Sequence, residues 1–205
     1  MNTSPPSDRK RTLVYIPIIH TVADMGTLGA SIRGKKLPML GRQGLSRNAA
    51  VVEKMWDEIE RVAARLPVAP GSVRVYQDGL PICQHEREIV SELAESGSRN
   101  HRLLLQLQSR GARVMGTESP ELLVEEYQLA KASLTSGATA VEASRQHQVR
   151  DTVLEKRDRF IADRINATLS DGETGIVFIG MLHSLTQFLD SDIRVAYPLG
   201  LPRVK

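Results

Sequence analysis

Gly175-Ile-Val-Phe-Ile-Gly-Met-Leu-His-Ser-Leu185 runs a largely β-branched, apolar segment into Gly180 and then, three positions later, into His183. Apolar residues at both alternating positions mark a strand covered on both faces, the condition of a parallel strand between helices. Ligands of such sheets bind outside the carboxyl ends of the strands. A histidine just past this strand therefore joins the question of fold to the question of chemistry.

Working outward, Thr12 to Ile19 ("TLVYIPII") has the same two-faced apolar pattern, with Pro17 expected at a strand end or bulge because it lacks a ladder donor. A helix is predicted from about Arg47 to Leu66, with Ser46 as N-cap, Pro67 as stop, and Val51, Val52, Met55, Trp56, Ile59, Val62 and Ala63 at helical spacing. Ser72 to Asp78 is the second strand, followed by helices near Gln84–Ala94 and Arg99–Arg110. "ARVMGT" is the third strand, and a helix capped by Ser119 with Pro120 in its first turn comes after it. A long helical pattern covers about Ala140 to Leu169. "GIVFIG" is the fourth strand, "SLTQFLD" a short helix and "IRVAYP" the fifth strand. Strands alternating with helices predict an α/β fold: a mostly parallel sheet of about five strands between helical layers. Residues 1–11 read as a disordered tail and 12–205 as one domain, with a basic loop at about 25–46.

Four strands in turn deliver a residue able to bind a metal or move a proton: His20, Asp78, Glu118 and His183. Carboxylates at such turns often cap the next helix, and a lone histidine is often structural, but two of each on one rim point to a site. Imidazole and carboxylate without thiolate suit Zn²⁺, Mn²⁺, Co²⁺ or Fe²⁺, with His20, Glu118 and His183 as the ligand set. Without metal, the same group suits general acid–base catalysis. On the long helix, Leu154, Ile161 and Ile165 share a face that includes Arg157. A guanidinium there either reaches the rim to orient substrate or belongs to a snorkelling stripe with Arg150 and Arg164.

Charge and composition narrow the partners. Met25 to Val52 holds five bases (Arg33, Lys35, Lys36, Arg42, Arg47) and no acid, which fits either a solvated loop or a cover over an anionic substrate. No aromatic residue is interleaved there for base stacking, which argues against single-stranded nucleic acid. With aromatic residues at 4%, the core is expected to be aliphatic. Cys83 is the sole cysteine, so there is no internal disulfide, and a reducing compartment is expected. The opening "MNTSPPSDRKR" lacks the apolar stretch of a secretory signal, and no later run reaches the ~20 apolar residues of a membrane span. A cytoplasmic protein acting on a small-molecule or peptide substrate is the expectation. Oligomeric state is left open.

Gly180-Met-Leu-His183, the Arg157-Asp158 pair and the Glu118 segment "GARVMGTESPELL" together resemble the superfamily of Tiki peptidases, TraB/PrgY/GumN proteins, haem-binding ChaN and erythromycin-esterase-like proteins. That group pairs two Gly-x-x-His motifs at strand ends with an acid and a helical Arg-Asn or Arg-Asp. Pro17-Ile-Ile-His20 departs from the first motif by replacing its glycine. The resemblance implies an α/β fold and hydrolysis of an amide or ester bond, metal-dependent in the Tiki branch. Its alternative is non-catalytic binding of haem or another anionic small molecule.

Overall fold

The computed structural model describes residues 11–21, 49–135 and 140–200. The basic loop and residues 1–10 lie outside them. Arg11, assigned to the tail by the sequence reading, is instead the first residue of β1. In chain order the elements are β1 (Arg11–Ile18), α1 (49–65), β2 (Val73–Gln77), α2 (Glu86–Glu95), α3 (Arg99–Ser109), β3 (Arg113–Met115), α4 (Pro120–Thr135), α5 (Ala140–Thr168), β4 (Thr174–Gly180) and β5 (Ile193–Ala196). The short helix expected after His183 is a single 3₁₀ turn, Thr186–Phe188.

All five strands are parallel, in the order β3-β2-β4-β1-β5. The strand that opened the sequence reading is thus the middle one. β4 pairs with β1 from Thr12↔Thr174 to Ile18↔Gly180, and with β2 from Val73↔Thr174 to Gln77↔Phe178. Pro17 stands one residue before the end of β1, past Val14, the last residue that β5 pairs. The donor it lacks is therefore not needed by that neighbour.

Strand alternation sorts the core into two layers. Val14, Ile16 and Ile18 of β1, Val73 and Val75 of β2, and Ile176 and Phe178 of β4 pack beneath α1, α2 and α3, against Trp56, Ile59, Val90 and Leu104. Leu13, Tyr15, Tyr76, Val177 and Ile179 face the opposite way, onto Ile161 and Ile165 of α5 and Leu169 just past its end. The core is aliphatic with few rings, as composition requires. Glu53, Asp57 and Glu60, on one face of α1 by their i, i+4, i+7 spacing, all bind the Arg99 guanidinium at the start of α3.

α5 has 29 residues, about 43 Å at 1.5 Å per residue. Ile161 and Ile165 in its C-terminal half lie on the sheet, and the helix also packs on α4, where Arg157 meets Glu126. None of the described helices is long and apolar enough to cross a membrane.

Phe178 is fully buried in the central strand. Phe178→Ala is expected to lower unfolding free energy by about 3–5 kcal/mol in a denaturant titration, and a change under 1 kcal/mol would contradict this packing.

Candidate functional site

Parallel pairing brings the strand ends together. Because Ile18 lies opposite Gly180, the next residues of β1 and β4 carry His20 and His183 to one edge. Asp78 follows β2 on the other flank of β4, where its backbone N–H extends the ladder to the Phe178 carbonyl at 2.9 Å. Glu118 follows β3, held by the Pro81↔Glu118 bridge and by an Ile82 N–H donated to its carbonyl at 3.0 Å.

These residues meet at the Asp78 carboxylate. Its Oδ2 accepts from the Gly180 N–H at 2.8 Å, lies 2.9 Å from His20 Nε2, and lies 3.4 Å from His183 Nε2. Its Oδ1 accepts from Arg157 Nη2 at 2.7 Å. Arg157 also spans Glu118, donating from Nη2 to Oε1 at 2.5 Å and from Nε to Oε2 at 3.1 Å, and it reaches Glu126 at 2.6 Å. His20, Asp78, Glu118, Arg157 and His183 all take part. Arg157 does not belong to a snorkelling stripe: it is 4% exposed, whereas Arg150 is exposed and Arg164 donates to the Gly116 carbonyl at 3.1 Å. Neither acid caps a helix, since Ser119 performs that role for α4 through the Leu122 N–H at 3.2 Å.

Gly180 is required by close approach rather than by an unusual φ. A Cβ at that position would stand 2.8 Å from Asp78 Oδ2 and 3.4 Å from His20 Nε2. The glycine of Gly180-x-x-His183 therefore keeps space for the carboxylate that both histidines use.

Sequence reasoning placed Asp158 beside Arg157 but gave it no role in the site. Its Oδ1 lies 2.5 Å from His183 Nδ1, and its Oδ2 accepts from the Ser184 N–H at 2.8 Å. Asp158 thus fixes both the ring and the turn that carries it. The available signal was two adjacent charges, Arg157 and Asp158, interrupting the apolar face between Val153 and Ile161, and both prove buried. Tyr15 adds a hydroxyl donated to the His183 carbonyl at 3.3 Å.

Burial separates the members of the group. Glu118 is fully enclosed and His183 is 8% exposed, while the His20 side chain keeps 28% of its surface. Burial alone disfavours the His183 imidazolium, but the Asp78 charge and the hydrogen bonds to Asp158 and Asp78 outweigh it, raising its pKa to about 10. Burial pushes Asp78 upward instead, yet the charge and hydrogen bonds of His183, with those of His20, bring it well below the usual carboxylate range. For Glu118 burial wins over Arg157, and the nearby Asp78 charge adds to it, giving about 7. Two buried carboxyl groups are thus pushed apart: Asp78 carries the charge and Glu118 keeps its proton to higher pH.

Asp78, Glu118 and His183 present donor atoms that all lie within 4.8 Å of one another. Asp78 stands in this set where the sequence reading had His20, which is bonded to Asp78 beside it. The set fits a divalent ion in two respects: its donors are nitrogen and oxygen, and Asp158 at Nδ1 turns His183 Nε2 toward the carboxylates, as supporting acids do for metal-bound histidines. Binding must displace the Nε2 proton and share carboxylates that Arg157 already engages. A separate cleft of about 380 Å³ between α4 and α5, lined by Leu122, Lys156 and Phe160 among others, includes none of these groups.

No family model, curated protein or solved structure matches the chain.

Two outcomes are expected. The His183 pKa is raised from 6.5 to about 10, so its contribution to stability is complete below pH 6.5 and is lost as pH rises through 10. Denaturant midpoints of metal-free protein should fall across that window, and Asp158→Asn should shrink the fall; a flat profile would contradict a charged His183. Gly180→Ala should displace Asp78 and move the His20 ring resonances in NMR spectra, and unchanged resonances would contradict the close approach.

Proposed function

We propose that the protein hydrolyses ester or amide bonds at the carboxyl-end rim of its sheet, with His20 as the general base. The observation that carries this reading is that one carboxylate oxygen, Asp78 Oδ2, is within 2.9 Å of His20 Nε2 and 3.4 Å of His183 Nε2. Histidine paired with a buried carboxylate is an arrangement that fixes a tautomer and stabilises the imidazolium formed on proton transfer.

With Asp78 Oδ2 holding its ring at Nε2, His20 takes the proton of an attacking water. His20 is suited to this because it is the most open member of the group. His183 is held as an imidazolium between Asp158 and Asp78, and supplies fixed positive charge near the developing oxyanion. The proton on His20 then passes to the leaving alcohol or amine. Glu118 and Arg157 lie beneath these two rings. Arg157 binds both acids, and so balances the carboxylate charge that would otherwise pull the proton back. They position and neutralise rather than touch substrate. The residues that would hold a divalent ion are Asp78, Glu118 and His183. When bound, such an ion would polarise a carbonyl and lower the pKa of a water toward about 7.

Peptides and p-nitrophenyl esters are suitable probes, assayed with chelator and with added Zn²⁺, Mn²⁺ or Co²⁺, with metal content measured in parallel. His20→Ala should lower kcat/KM by about 10²–10⁴ with the fold retained. Absence of turnover under every metal condition, or full activity in His20→Ala, would refute the assignment.

A further inference from the structure

Four buried polar atoms have no hydrogen-bond partner among the described residues: Trp56 Nε1, Gln77 Oε1, and both Nδ2 and Oδ1 of Asn100. All three residues are fully enclosed, each at 0% exposure. A buried donor or acceptor left unmet carries its whole desolvation penalty, and folded proteins meet such groups with protein atoms or with bound water.

The three residues belong to one layer, on the face of the sheet away from α5. Trp56 packs in the core cluster that contains Val73, Val75, Leu103 and Leu104. Gln77 follows Val75 by two positions on β2, so it points to the same face. Asn100 precedes Leu103 and Leu104 by three and four positions on α3, so it lies on their side of the helix. Arg99, next to Asn100, binds Glu53, Asp57 and Glu60, which bracket Trp56 along α1. That contact sets the first turn of α3 level with the Trp56 turn. The other buried polar pair on this turn is already matched, Ser98 Oγ lying 2.7 Å from His101 Nδ1.

Donor and acceptor valences select what binds here. Trp56 Nε1 and Asn100 Nδ2 donate, while Asn100 Oδ1 and Gln77 Oε1 accept. None of the three side chains is ionisable, so a bound ion would lack a counter-charge in the core. What fits is a small neutral molecule that gives two hydrogens and accepts two, which is the valence of water. A buried water makes about three hydrogen bonds, within the number offered. We propose that Trp56, Gln77 and Asn100 form an internal hydration site, in which one water or a hydrogen-bonded pair accepts from Trp56 Nε1 and Asn100 Nδ2 and donates to Asn100 Oδ1 and Gln77 Oε1. Gln77 Nε2 donates to the Asp78 carbonyl at 2.8 Å, so the bound water fastens α1 and α3 to the residue directly behind the central carboxylate of the rim. The hydration site is independent of the hydrolase reading.

Trp56 is the only tryptophan of the chain, so its indole N–H gives a single resonance that reports this site alone. The test is rotating-frame Overhauser spectroscopy of the nitrogen-labelled full chain, as wild type and as Asn100→Leu, with magnetic relaxation dispersion to count long-lived internal waters. In wild type, the indole N–H should show a cross-peak to water with the sign of dipolar contact rather than of hydrogen exchange. Asn100→Leu should lose that cross-peak and at least one long-lived water, and its denaturant midpoint should not rise. A wild-type indole N–H without a dipolar cross-peak to water would overturn the proposal, a result that needs no variant to fold. So would an unchanged water count in Asn100→Leu, or a higher midpoint in that variant, the mark of an amide buried without any partner. A crystal structure in which protein groups bond to these four atoms would overturn it as well.

Discussion

A carboxylate sealed from water must be matched by charge and hydrogen bonds, and Asp78 is the group whose demands arrange the rim. It is 5% exposed, yet its pKa lies well below the usual range. The backbone N–H of Gly180, two imidazoles and the Arg157 guanidinium supply what water would have supplied. Ionising a buried acid without such partners costs several kcal/mol, so the carboxylate and its partners fold as one unit. The bare Gly180 backbone, the histidine two residues past β1 and the arginine on α5 all answer to the same oxygen atoms.

Charge balance sets the division of roles. With Glu118 holding its proton to about pH 7, the buried Asp78 and Asp158 carboxylates face Arg157 and His183, and the part-exposed Glu126 adds a third carboxylate on Arg157. The partly open His20 imidazole stands at the edge of this network. A divalent ion at the same place would enter by displacing a proton from His183 and sharing acids with Arg157, so proton count and cation binding are linked. The same shared contacts tie stability to the site. Removing the buried Arg157 would leave Asp78 without its guanidinium, a loss of about 3–5 kcal/mol.

The two ends of the sheet are built for different purposes. At the amino end, Arg11 donates to Asp190 and Asp192 and to the carbonyls of Asn166 and Leu169, while Arg74 pairs with Glu173. These contacts tie β1 and β2 to the end of α5 and to the loops before β4 and β5. At the carboxyl end, among the described residues, Asp78, Glu118, Arg157 and His183 are buried together. The buried ionisable cluster thus lies at the end of the sheet where open parallel sheets bind their ligands.

The sequence by itself determined the element order, the two-sided burial of β1 and β4 and the rim position of His20, Asp78, Glu118 and His183, because alternation, helical spacing and turn residues are local properties. It also marked Arg157 as a charge that needs a partner. The tertiary structure alone decided that β4 lies between β1 and β2, since strand order depends on which faces pack and leaves no local trace. From that order follow the convergence on Asp78 Oδ2, the choice of Glu118 and Asp78 as partners of Arg157, and the orienting contact of Asp158 with His183. The substitution of Asp78 for His20 in the set of metal donors has the same origin: distances of a few ångströms between side chains 40 to 105 positions apart are fixed by packing, not by spacing along the chain.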